Sequence, residues 1–144
     1  DHLMCTSDEN LKKMAESGVV SVLLPGTTFF LGKKQYVDSN KILEFGGDIA
    51  IASDYNPGSC FIQSMPFIMF LSNLYCDMPI DLSFKACTYN AAKVIQKENQ
   101  IGLIKAGYKA DMIIWKFNDL SAIPYSFDDS DTILNVIKNG KILS

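Results

Sequence analysis

The sequence predicts an α/β fold with parallel strands, followed by a small antiparallel sheet. Two nearly continuous apolar runs, at 19–24 and 48–54, have the pattern of parallel strands covered on both faces, and helical patterns stand between and after them. Asn139-Gly140, set between short β-branched runs, predicts a two-residue hairpin turn and hence antiparallel pairing near the end. With 144 residues, the chain is long enough for one globular core and too short for two ordinary domains.

Taken in order, Thr6-Ser7-Asp8-Glu9 has capping-box spacing, with Thr6 as cap and Glu9 reaching back. Leu11, Met14 and Ala15 then recur at helical spacing until Gly18. The strand at 19–24 ends at Pro25-Gly26, and a loop is expected over 27–36. Ser39 is placed to cap a second helix with Ile42, Leu43 and Phe45 on its apolar side, stopped by Gly46-Gly47. After the strand at 48–54, an apolar helix is expected over 65–75. Pro79 then opens a longer one reaching about residue 95. Short strands at 111–115, 133–137 and 141–143 complete the order.

Composition narrows the function. Thirteen basic against sixteen acidic residues leave a net charge of −3, unsuited to nucleic acid. Every basic residue is lysine, so the chain has no guanidinium fork for two-point grip of a carboxylate. Cys5, Cys60, Cys76 and Cys87 form no C-x-x-C pair and are read as reduced thiols of a cytoplasmic protein. The most apolar stretch, 67–76, falls short of the ~18 residues of a membrane span. The opening Asp1-His2-Leu3, without a methionine or a preceding turn, is read as a cut inside a larger protein.

Working groups in such folds sit where strands end. Asp54 closes an apolar strand, and a desolvated carboxylate there needs a cation or several donors. The bland alternative is a turn starter or helix cap. Asn56, Gly58 and Ser59 follow with an amide, close backbone approach and a hydroxyl. His2 is the sole histidine. A two-histidine metal site cannot be built from this chain alone, and a lone histidine is more often structural or at the surface than catalytic. Gly102 and Gly107 lack the clustering a dinucleotide loop needs. Core packing, rather than a ligand wall, is expected of Met65, Phe67, Ile68, Met69, Phe70 and Leu71. The acidic 128–131 stretch reads as a solvated loop rather than a cation site.

Together these segments resemble the C-terminal portion of the imidazolonepropionase family, within the metal-dependent amidohydrolase superfamily. Thr88-Tyr89-Asn90-Ala91-Ala92 and the G-x-x-A-D pattern of Gly107, Ala110 and Asp111 are superfamily marks. The family marks are Asp1-His2-Leu3, Leu23-Leu24-Pro25-Gly26 and Ser53-Asp54-Tyr55-Asn56-Pro57-Gly58. The resemblance implies strands six to eight of a (β/α)₈ TIM barrel with their helices over 1–98, and the C-terminal strands of a small flanking β-sandwich over 99–144. It also implies one metal ion, zinc or iron, with Asp54 as a ligand that takes a proton from the attacking water. His2 would stabilise charge at the carbonyl, while Asn56, Gly58 and Ser59 touch substrate or product. Ser59 stands where the family often has threonine. The implied reaction is hydrolytic opening of 4-imidazolone-5-propanoate to N-formimino-L-glutamate, in histidine degradation.

The implied partners are a small-molecule substrate, a missing N-terminal part of the chain that holds the other ligands and grips the propanoate, and a second copy in a homodimer. Alone, the fragment is expected to be inactive. The alternatives are another amidohydrolase, such as a guanine deaminase or a cyclic amidase, or a non-catalytic α/β interaction module.

Overall fold

In the computed structural model, which describes residues 1–126 and 129–143, the first regular element is α1 (Asp8–Glu16). Its cap is Ser7, one residue beyond the expected Thr6: the Ser7 hydroxyl accepts from Asn10 N at 3.3 Å. Glu9 turns outward to Lys13 at 2.7 Å, so the reciprocal half of the capping box is not made. β1 (Ser21–Leu23) follows, and directly after it α2 (Pro25–Phe30). This helix replaces the first part of the loop expected over 27–36. Proline has no N–H to lose and a φ already helical, so Pro25 both ends the strand and starts the helix.

α3 (Ser39–Glu44) is capped by Asp38, whose Oδ1 accepts from Asn40 N at 2.9 Å, rather than by the expected Ser39. Ile42 points into the core, while Leu43 faces solvent. β2 (Ile49–Ile51) pairs with β1 in parallel, Ser21 opposite Ile49 and Leu23 opposite Ile51, as the apolar runs predict. α4 (Met65–Tyr75) has the expected ends, with Ser64 Oγ accepting from Phe67 N. Its Ile68, Met69 and Leu71 are buried. Ile68 and Met69 pack with Leu23, Ile42, Ile49, Ile51 and Ala86 in the core that covers both strands.

The long helix expected from Pro79 is two, α5 (Ile80–Cys87) and α6 (Tyr89–Val94), with Pro79 just outside the first. The break falls at Thr88 (φ −121°, ψ −88°), whose hydroxyl donates to Phe84 O at 2.6 Å. Such back-bonding by threonine competes with the helix ladder and bends it. β3 (Met112–Trp115), α7 (Ala122–Tyr125), α8 (Asp129–Thr132), β4 (Ile133–Lys138) and β5 (Lys141–Ile142) complete the chain. The last three strands form an antiparallel sheet in the order β3-β4-β5. Asn139 and Gly140 both have left-handed φ (49° and 76°), as a mirror-image hairpin turn requires. Of the acidic stretch, Asp128 lies outside the described residues, and Asp131 pairs with Lys116 at 3.1 Å.

Among the described residues the strands make these two sheets and no closed barrel. Where the resemblance implies three barrel strands, two are formed. Residues 1–3 are not extended, because His2 and Leu3 have φ of 66° and 65°. No helix among the described residues is long and apolar enough to cross a membrane.

One superfamily mark has a structural explanation. Asp111 Oδ1 accepts from Asn139 N at 2.8 Å and Oδ2 from Lys138 Nζ at 2.6 Å, while Gly140 N donates to Ala110 O. Asp111 therefore latches the hairpin turn. The Lys138 ammonium, then the Asn139 N–H, hold its carboxyl below the usual value of 3.8. A carboxyl depressed on folding contributes stability above its unfolded pKa, and that contribution fades as pH falls through the folded one. Asp111→Asn is thus expected to lower the melting midpoint at neutral pH, with the gap to the native protein closing as pH falls through the depressed folded value. Thermal melts across that range check it; a gap independent of pH would point to packing instead.

Candidate active site at the strand ends

Backbone hydrogen bonds fix how the segments stand. Ser21 N donates to Asp48 O at 2.9 Å and Ala52 N to Leu23 O at 3.2 Å, so Ser21 and Leu23 present their peptide groups to β2. Alternation along the strand turns those of Val22 the other way. Val22 O accepts from His2 N at 3.1 Å, which places His2 on the far edge of β1. The order across the sheet is therefore His2, β1, β2, with residues 1–3 held in a turn by the bond from Leu3 N to Asp1 O. On the far edge of β2, buried Asn90 donates from Nδ2 to Ile49 O at 2.7 Å and so satisfies an edge carbonyl.

Asp54 stands past the end of β2, half-buried, with left-handed φ of 51°. Aspartate is one of the few L residues that visit this region routinely. Its Oδ2 accepts a hydrogen bond from Thr27 Oγ1 at 2.7 Å. Thr27 lies in the first turn of α2 and is 5% exposed. The approach depends on Gly26: a Cβ there would meet Ile68 Cδ1 at 2.6 Å and Cys60 Sγ at 3.2 Å. Two edge-on ring pairs hold the same helix, Phe29 on Phe67 (5.8 Å) and Phe30 on Phe61 (5.4 Å).

The residues after Asp54 fold onto themselves. Asn56 Oδ1 accepts from Gly58 N at 2.9 Å and Ser59 N at 2.8 Å, and Asn56 Nδ2 donates to Asp54 O at 2.6 Å. Ser59 Oγ lies within bonding distance of both amide atoms, and Asn56 N bonds Cys60 O. Asn56 thus builds the turn that fixes the main chain of Asp54. Asp54, Asn56, Gly58 and Ser59 are brought together, with Thr27 added.

His2 is not joined to that cluster by any hydrogen bond. It lines a crevice of about 10 Å³ with Leu24, Thr28, Tyr36 and Cys76 on the other side of β1. Cys76 is no nucleophile there, because burial, reinforced by Asp77, pushes its thiol up to about 12. A larger cavity of about 650 Å³ lies elsewhere, between α4, α5 and the antiparallel sheet. Its lining is mostly apolar, and its charged members Asp111 and Lys138 are paired with each other.

A zinc or iron ion needs three or four protein donors. Among the described residues no three His, Cys, Asp or Glu side chains form such a group. The residues present therefore fit one corner of a metal site and do not make a closed one: Asp54 offers a carboxylate that is oriented at one oxygen and exposed enough to share the other.

The model of the amidohydrolase family matches residues 2–143. The chain belongs to the amidohydrolase family. It is 44% identical to an imidazolonepropionase of Alkaliphilus oremlandii and 41% identical to one of Bacillus velezensis, over 99% and 98% of its own length. It spans about a third of the length of these curated relatives, 34% and 33%. Among solved structures, it superposes on a zinc-bound adenosine deaminase from Xanthomonas campestris with a TM-score of 0.82 at 18% identity, covering 98% of this chain and 35% of that one. For the guanine deaminase of E. coli the TM-score is 0.78 at 13% identity, covering 99% and 38%. At these identities the shared property is the fold, a part of the amidohydrolase architecture.

Proposed function

We propose that the protein to which this chain contributes is a cytoplasmic, metal-dependent hydrolase that opens the ring amide of 4-imidazolone-5-propanoate to give N-formimino-L-glutamate. In it, residues 1–98 continue a (β/α)₈ barrel as the region of its sixth to eighth strands, and 99–144 add strands to a flanking sandwich. The observation that carries this reading is the Asp54-to-Ser59 turn at the end of β2, in a chain 38–44% identical to imidazolonepropionases along nearly its whole length.

Asp54 supplies one ligand to a zinc or iron ion whose other ligands come from outside this sequence. The ion, when bound, acts as a Lewis acid toward the ring carbonyl. Asp54 accepts the proton that the attacking water loses. His2, from across β1, donates a hydrogen bond to the oxygen that gains charge as the carbonyl is attacked. Gly58 and Ser59 border the substrate, and Asn56 holds the turn that presents them. With no arginine in the chain, the propanoate is gripped by residues elsewhere. By itself the 144-residue chain turns over no substrate.

The whole protein, loaded with zinc or iron, should consume imidazolonepropanoate, followed by loss of the ring's ultraviolet absorbance, and leave guanine untouched. Hydrolysis of guanine in preference, or of neither compound, would overturn the assignment.

A further inference from the structure

We infer that Thr27 is a positioning residue for Asp54, one that the linear pattern of the sequence does not mark; this deepens the reading above and rests on it. The observation is the 2.7 Å hydrogen bond from Thr27 Oγ1 to Asp54 Oδ2. A hydroxyl has one proton to donate, and at Thr27 it goes to this oxygen. No other side chain among the described residues bonds the carboxylate, so Thr27 alone fixes its rotation about Cβ–Cγ. With Oδ2 so engaged, Oδ1 is the oxygen left to face a metal ion.

The donor is itself held firmly. Thr27 is 5% exposed, and its own N–H is tied to Leu24 O. Gly26 beside it is pressed on Ile68, and the ring pairs of Phe29 and Phe30 fasten the rest of α2 to α4 and to the loop after Asp54. The bond spans 27 residues and joins the end of β1 to the end of β2. It therefore holds the carboxylate to a rigid helix turn, whereas Asp54 lies on an irregular segment. Outer partners that orient a metal's carboxylate or imidazole ligands typically contribute 10–100-fold in metal affinity or activity.

The experiment uses the whole protein, stripped of metal and titrated with zinc against a chromophoric chelator. Thr27→Val keeps the shape and removes the hydroxyl; Thr27→Ser keeps the hydroxyl. The expected result is zinc affinity about 10–100-fold weaker in Thr27→Val and restored to within about threefold in Thr27→Ser. In the zinc-saturated enzymes, kcat falls in the valine variant while KM stays within about twofold. If valine is not accommodated, Thr27→Ala, which cannot clash, replaces it as the hydroxyl-free variant. Equal zinc affinity in all forms, or a serine variant as weak as the valine one, would overturn the inference. Asp54→Asn separates the two levels. If it loses zinc while Thr27→Val does not, only the positioning role fails; if neither loses zinc, the metal-site reading fails first.

Discussion

Asp54→Asn is expected to cost the whole enzyme more than about 100-fold in kcat, beyond the range seen when an outer partner of a metal ligand is removed. Asparagine suits this test because it tolerates the left-handed φ of 51° almost as well as aspartate. Its carbonyl oxygen can still accept from Thr27, so the link between the two strand ends survives. What disappears is the negative charge, and with it both a metal-binding oxygen of full strength and the base for the attacking water. The melting midpoint should move little, because Asp54 is half-buried and lies outside the apolar core. Steady-state kinetics, bound metal by atomic absorption and a thermal melt together check this. A variant that keeps its activity would remove Asp54 from the chemistry, and one that merely unfolds would make it a structural cap, the bland reading open to any acidic residue at a strand end.

Much of this was legible in the sequence wherever a local rule and the tertiary fold agree. α4 has the ends expected from its apolar run, and in the structure Ser64 caps it while Pro66 stands in its first turn. The parallel pair β1 and β2 followed from two β-branched runs with no polar alternation. Asn139-Gly140 marked its hairpin because few other dipeptides accept two left-handed residues. The misses lie where a distant contact decides. Thr-Thr-Phe-Phe has poor helix propensity, and α2 forms because Phe29 and Phe30 find rings on other segments and Gly26 fits against Ile68. The break at Thr88 turns α6 so that Asn90 reaches the β2 edge, a contact 41 residues apart.

The same holds within the site. Asp54, Asn56, Gly58 and Ser59 are consecutive enough for a motif to show them. Thr27 is far away in sequence; the signal nearest to it, Leu23-Leu24-Pro25-Gly26, ends a strand and carries the resemblance but does not single out the hydroxyl that follows. His2 stands beside β1 through its bond to Val22 O, with a backbone that is turned rather than the extended strand end expected there.

Gly102→Ala is the substitution expected to cost most in stability. Gly102 has φ of 88°, and an added Cβ would lie 2.9 Å from both Thr88 O and Tyr89 Cα, and 3.1 Å from Ala92 Cβ. Two of these neighbours are backbone, so no side chain can swing aside. The left-handed conformation adds roughly 1–2 kcal/mol for a residue with a Cβ, and overpacking adds about 1–3 kcal/mol. A loss of about 2–5 kcal/mol in urea denaturation is therefore expected. Gly107→Ala is the internal control: its φ is 87°, yet nothing lies within 4 Å of the added atom. It bears the conformational strain without the collision and should lose only about 1–2 kcal/mol. The difference between the two isolates the close approach of the Gly102 segment to the first turn of α6. That turn carries Asn90, whose amide holds Ile49 O on the open edge of β2. The Gly102 variant should therefore also loosen β2 and the Asp54 segment beyond it, seen as faster amide exchange at Ala52, whose N–H bonds Leu23 O, whereas the Gly107 variant should leave that amide protected. Equal losses in both, with no change in exchange, would show that the Thr88-to-Ala92 mark and Gly102 are not packed as a unit with the strand that bears the site.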